Sequence, residues 1–108
     1  MGDTDLGAAV ADLSRLAGEL AGVSESRREG LLHWRYHGRL VARQLDDSHV
    51  VIRASFDFRD FLIRSFPETF SVPERFAKHM MVVADLEHGD AGAVEDAVIG
   101  AWELQSGG

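Results

Sequence analysis

The chain contains no cysteine. Disulfides, thiolate metal sites and cysteine nucleophiles are therefore excluded, and the absence fits a reducing compartment. No apolar run approaches the ~20 residues needed to span a bilayer. The acidic N-terminal stretch MGDTDLGAAVADL also lacks the basic region that opens a secretory signal. These absences predict a soluble, cytoplasmic protein with no membrane association. Also missing are a G-x-S-x-G nucleophile elbow, a phosphate-binding P-loop and an H-x-x-x-H pair on a helix. Basic residues are missing from one end: residues 79–108 hold six acids and no Lys or Arg.

What is present is enough for one domain over residues 1–108 with one modest core. The formal net charge of −7 argues against non-specific nucleic-acid binding. The charge is unevenly spread, however. Residues 1–26 carry five acids and one base, whereas residues 27–78 carry seven acids and ten bases. The middle of the chain is a basic island between two acidic ends.

Residues 4–21 repeat apolar groups at Leu6, Ala9, Val10, Leu13, Leu16, Ala17 and Leu20, one stripe of a helix. Asp3 or Thr4 caps its first turn and Gly22 ends it. Asp5, Asp12 and Glu19 fall on the opposite side. They read as a solvated face, since a metal-attracting ridge there needs ligands from another element. The stretch GVSESRREG, residues 22–30, reads as a connector.

LLHWRY then reads as a strand, His37-Gly38 as a two-residue turn and RLVARQL as the return strand. A regular hairpin places Tyr36 by Arg39 and Trp34 by Val41, with Trp34, Tyr36 and Val41 facing the helices. His33 and Arg35 point the other way, with Leu40 and Ala42 opposite them. Arg43 continues the inward face and must snorkel outward. LDDS is a second turn, and HVVIRA a third strand rich in β-branched residues.

Ser55 caps a helix over 56–66 whose apolar side is Phe58, Phe61, Leu62 and Phe66, stopped by Pro67. ETFSV is a short strand that Pro73 confines to an edge or an end. HMMVVADL is a continuous apolar run, which predicts a central, covered strand. Asp90 caps a last helix over 91–104, with Val94, Ala97, Val98, Ala101 and a largely buried Trp102 inward. QSGG is a frayed tail. The expected class is α+β in two layers, one antiparallel sheet covered by helices, in the order α-β-β-β-α-β-β-α.

The segments GVSE, WRYHGRLVARQ, VVIRA, FPETFSVPERFAKHMMVVADL and AWELQ, in that order and spacing, resemble the MmcQ/YjbR family of small bacterial proteins. The resemblance runs from about Leu6 to Gln105. It implies a two-layer α+β fold related to type III secretion chaperones and frataxin-like proteins, and no established enzymatic activity. It also implies the DNA-binding role often given to the family for hairpins that look like two wings. Gly38-Arg39 matches a Gly-Lys step at the family's first hairpin turn, and Arg53 a basic residue closing the third strand. His79 matches a polar residue before the last strand. The Trp usually found within the next two positions is replaced by Met80 and Met81.

Catalysis is not expected, because the residues fill no set of catalytic roles. His33 on the strand and His37 at its turn make a pair with no third ligand, so the histidines read as exposed or structural and no metal or cofactor is expected. Asp46-Asp47 is turn chemistry. The arginines remain. Arg35, Arg39, Arg43 and Arg53 occupy three adjacent strands, with Arg27 and Arg28 before them and Arg75 and Lys78 after. The candidate DNA contacts are Arg35, Arg39, Arg43, Arg53 and Lys78, with Arg39 foremost because a hairpin tip reaches furthest. A protein- or peptide-binding module of the secretion-chaperone kind is the alternative, since an open sheet accepts a partner's strand or helix. Oligomeric state is left open by the sequence.

Overall fold

The computed structural model describes residues 5–107. Helix α1 (Leu6–Glu19) is followed by strands β1 (Val23–Arg28), β2 (Leu31–Tyr36), β3 (Arg39–Gln44) and β4 (His49–Arg53). Helix α2 (Phe56–Ser65), the short strand β5 (Phe70–Ser71), a 3-10 turn (Glu74–Phe76), strand β6 (Met81–Asp85) and helix α3 (Ala91–Ser106) complete the order. All strand pairs are antiparallel, in a six-stranded sheet ordered β1-β2-β3-β4-β6-β5. Residues of all three helices join Leu32, Trp34, Val50, Ile52, Val82 and Ala84 in one core on a single side of the sheet. The fold is thus two-layered α+β, as the patterning predicts.

Three predicted helices are present, each with a side-chain cap. Asp5 accepts from the Ala8 N–H, Ser55 from Phe58 and Asp90 from Ala93. Asp5 thus takes the capping role while remaining exposed. The predicted caps Asp3 and Thr4 lie outside the described residues. Gly22 does not end α1, which closes at Leu20. Its φ of 80° serves the turn into β1.

The sheet has one strand more than the sequence pattern predicts. Residues 22–30 are not a connector but carry β1, whose residues are exposed apart from a half-buried Val23. An edge strand with so little buried surface has no apolar alternation to betray it. It joins β2 through Glu29-Gly30, and β2 joins β3 through His37-Gly38. All four residues have positive φ, the geometry that two-residue hairpins need.

The β2–β3 hairpin departs from simple alternation. Tyr36 pairs with Arg39 and Arg35 with Leu40, but Trp34 pairs with Ala42 and His33 with Arg43. Val41 is the extra residue of a bulge between them. Val41 and Ala42 are both fully buried in the helix-side core. The bulge overturns the expected placement of Arg43, which lies on the open face opposite His33. Ala42 faces Trp34 rather than His33. Gln44 turns inward instead, where its Oε1 accepts from the Leu32 N–H at 2.8 Å.

Two apolar assignments also change. The buried stripe of α2 runs through Phe58, Leu62 and Phe66, with Ile63 on one flank. Phe61 lies on the other flank, half exposed and stacked on Phe58. Trp102 is only partly buried, and its indole N–H donates to the Ala21 carbonyl at 2.8 Å. The expected frayed tail is helical through Ser106 and closes on a left-handed Gly107. Strand β6 is flanked by β4 and β5, and Val82, Val83 and Ala84 are buried, as expected of a covered strand.

Candidate functional site: an open basic face of the sheet

The helices cover one side of the sheet only. On the other side a single row crosses all six strands: Ser26, His33, Arg43, Val51, Val83 and Ser71. Arg35 and Leu40 lie beside this row towards one end, followed by Arg53 and Met81. Arg28 lies towards the other end. Alternation places all of these side chains on the face opposite the helix-side core.

Val51 and Val83 pair across β4 and β6 on this face and belong to no part of the helix-side core, yet they are 0% and 3% exposed. Their long neighbours Arg43, Arg53 and Met81 can lay aliphatic stems over them. The Arg53 Nε is itself buried and has no hydrogen-bond partner within the chain. Val51 and Val83 are therefore a buried apolar pair among the arginine-bearing positions of this face.

The electrostatics are one-sided. Among the described residues, Arg28, Arg35, Arg43 and Arg53 join no ion pair. Asp85 is the carboxylate that β6 adds to the face. It is occupied at the far end by His88 at 3.0 Å and by the N–H groups of Glu87 and His88. His33 registers the local field. Partial burial, then the charges of Arg35, Arg28 and Arg43, hold its pKa below the ordinary 6.5.

Of the predicted contact residues, the structure brings Arg35, Arg43 and Arg53 together on this face. Arg39 is not with them: it shares the helix side with Tyr36, and its Nη1 donates to the Gln105 carbonyl at 2.9 Å. That hairpin tip is not a free wing either. The His37 N–H donates to the Gly22 carbonyl, and the stacked Tyr36 and His37 rings leave no room for a Cβ at Gly22. Lys78 is exposed between the 3-10 turn and β6, off the strands.

The sequence reading missed Arg28 and His33 as members of the cluster. Recognising β1 would have found Arg28, because Ser24, Ser26 and Arg28 alternate with Val23, Glu25 and Arg27. Among the described residues no three His, Asp or Glu side chains are placed to hold a metal ion. No described helix is long and apolar enough to cross a membrane.

No protein-family model and no curated protein matches the sequence. Among solved structures, the chain is similar to Deinococcus radiodurans protein DR2400, a DUF419 domain, with a TM-score of 0.71 and 18% identity. The match covers 88% of this chain and 76% of that one. A likeness at this identity speaks to fold: the chain has the architecture of a DUF419 domain, a domain grouped with MmcQ/YjbR-like proteins.

Proposed function

We propose that the protein is a non-enzymatic binding domain whose open sheet face takes a polyanion, duplex DNA, through Arg28, Arg35, Arg43 and Arg53. The observation that supports this reading is the set of four unpaired guanidinium groups on one face of a chain with net charge −7. The carboxylate that β6 adds to this face, Asp85, is held by His88 and by the N–H groups of Glu87 and His88. Arginine suits phosphate because its planar fork donates two parallel hydrogen bonds and is weakly hydrated.

The aromatics of β2, Trp34 and Tyr36, lie on the helix side, so this face lacks the stacking platform that single-stranded ligands use. Phosphate contact with a duplex remains, which positions the protein without reading bases. This moves the contact from the hairpin tips to the sheet face. A second reading, an acidic amphipathic protein segment, is favoured by the half-buried apolar side chains of Leu40 and Met81 beside the arginines.

A fluorescence titration with a mixed-sequence duplex and with an acidic amphipathic peptide, each at several ionic strengths, separates the two. Duplex affinity should fall with a log–log slope near −0.9 per neutralised phosphate. Arg43→Ala should weaken it and flatten the slope by about one unit. Absence of duplex binding at low salt refutes the DNA reading. Peptide binding that survives moderate salt would put the protein segment in its place.

A further inference from the structure

We infer that the free edge of β1 pairs with the same edge of a second copy of this chain, in one defined antiparallel register. Strand β1 is a terminal strand of the sheet, and among the described residues no other strand bonds to its outer edge, where the Val23 N–H is taken by the Leu20 carbonyl. It runs for six residues with neither Pro nor bulge, so it presents unpaired backbone groups. The pairing does not depend on what the basic face binds.

The backbone shows which residues point outward. Gly22 accepts from His37 across β1 and β2, so the even-numbered positions bond to β2. Val23 sends its N–H away from β2 to Leu20, and Leu32, opposite Arg27, donates to Gln44 rather than to β1. The N–H and C=O groups of Glu25 and Arg27 therefore face the free edge, while the Val23 N–H on that edge is already held by Leu20.

Two copies related by a two-fold axis must match these outward residues with one another. Centring the axis on Glu25 sets Glu25 against Glu25. Centring it on Arg27 sets Arg27 against Arg27 and Glu25 against Glu29. Centring it on Ser26 sets Glu25 against the other copy's Arg27, twice, with backbone bonds at both pairs. Opposite charges directly across a sheet stabilise it and like charges destabilise it, so of these three registers the one centred on Ser26 alone pairs opposite charges within β1.

The side chains fit that register. Glu25 accepts from Trp34 Nε1 at 2.8 Å and from Ser14 Oγ, both through Oε1, which leaves Oε2 for a second donor. Arg27 uses Nη1 on the Gly30 carbonyl and has further N–H groups to give. At the axis Ser26 meets its own copy in a pair without backbone bonds, the closer ~4.5 Å spacing, which a small side chain suits. The product is one continuous sheet of both copies, with the two arginine clusters on the same side. One strand pair buries less than the ~1,600 Å² of a standard interface, so association is weak and concentration-dependent.

Sedimentation velocity over a concentration series tests this with the full chain. The wild type should show a reversible dimer. Glu25→Arg and Arg27→Glu should each raise the dissociation constant about tenfold or more, because two attractive pairs become repulsive. Mixing the two variants should recover a one-to-one dimer, since opposite charges meet again. Glu25→Arg also disturbs the contacts to Trp34 and Ser14, so a second measurement guards against misfolding. The chain has no cysteine, and Ser26→Cys should form a disulfide-linked dimer on mild oxidation, because the paired Cα spacing is within disulfide range. Ser24→Cys should not. A monomer at every concentration with no cross-link at position 26, or equal cross-linking at 24 and 26, overturns the inference.

Discussion

His33 and Arg43 face each other across β2 and β3, with Arg35 and Arg28 close enough to depress the pKa of the imidazole. A neutral ring is the form that this setting favours. Its Nδ1 lies 3.5 Å from an Arg35 guanidinium nitrogen, consistent with an acceptor rather than a second donor. The histidine is thus a reporter built into the cationic cluster.

The first prediction concerns its titration. A folded-state pKa below 6.5 means that the unfolded chain binds more protons as the pH falls through that value. The resulting penalty is absent above about 6.5. It grows as the pH drops through 6.5 and levels off once the folded ring is also protonated. A bound polyanion supplies negative charge and raises the pKa, so binding takes up a proton and tightens as the pH falls. NMR of the His33 ring should give a midpoint below 6.5 in the free wild type, and a higher one in Arg43→Ala and in the presence of duplex. Burial is the larger cause, so Arg43→Ala should not restore the ordinary value in full. A free-protein midpoint at or above 6.5, or one indifferent to Arg43→Ala, would sink the idea.

Much of this arrangement is legible in the sequence. The stripe through Leu13 and Ala17, the alternation around Trp34 and the caps Ser55 and Asp90 are local signals, and the fold agrees with them. What fails is what no local signal carries. Strand β1 forms because an edge accepts polar residues on both sides. Arg43 reverses face because one bulge residue, Val41, resets every later position on β3. Arg39 looks like the most projecting base until α3, far away in sequence, brings the Gln105 carbonyl to it. The candidate site is thus half visible beforehand: its residue type and strands are readable, but its membership depends on register.

Arg39 supplies the second prediction. Its guanidinium donates to Gln105 near the C-terminus of α3, where a cation complements the helix dipole. The Gln105 side chain returns a bond to the Leu40 carbonyl at 2.6 Å. Arg39→Ala should lower stability by about 0.5–1 kcal/mol, read as a shifted urea midpoint. It should leave the salt slope of duplex binding unchanged. Arg43→Ala should instead weaken duplex binding and flatten its salt slope. A binding defect in Arg39→Ala as large as that of Arg43→Ala would return the contact surface to the hairpin tip.

The third prediction ranks the two tryptophans. Trp34 is 2% exposed, and its indole N–H is held by Glu25. Trp102 is partly buried at the rim of the core, where its indole ties α3 to the Ala21 carbonyl. Trp34→Ala removes a full core side chain and should cost about 3–5 kcal/mol through lost burial and a cavity. That is a large share of the ~5–15 kcal/mol that holds a typical domain together. Trp102→Ala removes less buried area and opens onto solvent, so roughly 2 kcal/mol is expected. Trp34→Phe keeps most of the apolar contact but takes a donor from the Glu25 carboxylate, which retains Ser14; about 1–2 kcal/mol should follow. Urea unfolding followed by circular dichroism gives the three values on one scale. The order Trp34→Ala, Trp102→Ala distinguishes the centre of the sheet from its rim, and the reverse order would mean that the end of α3, not the β2 strand, anchors the core.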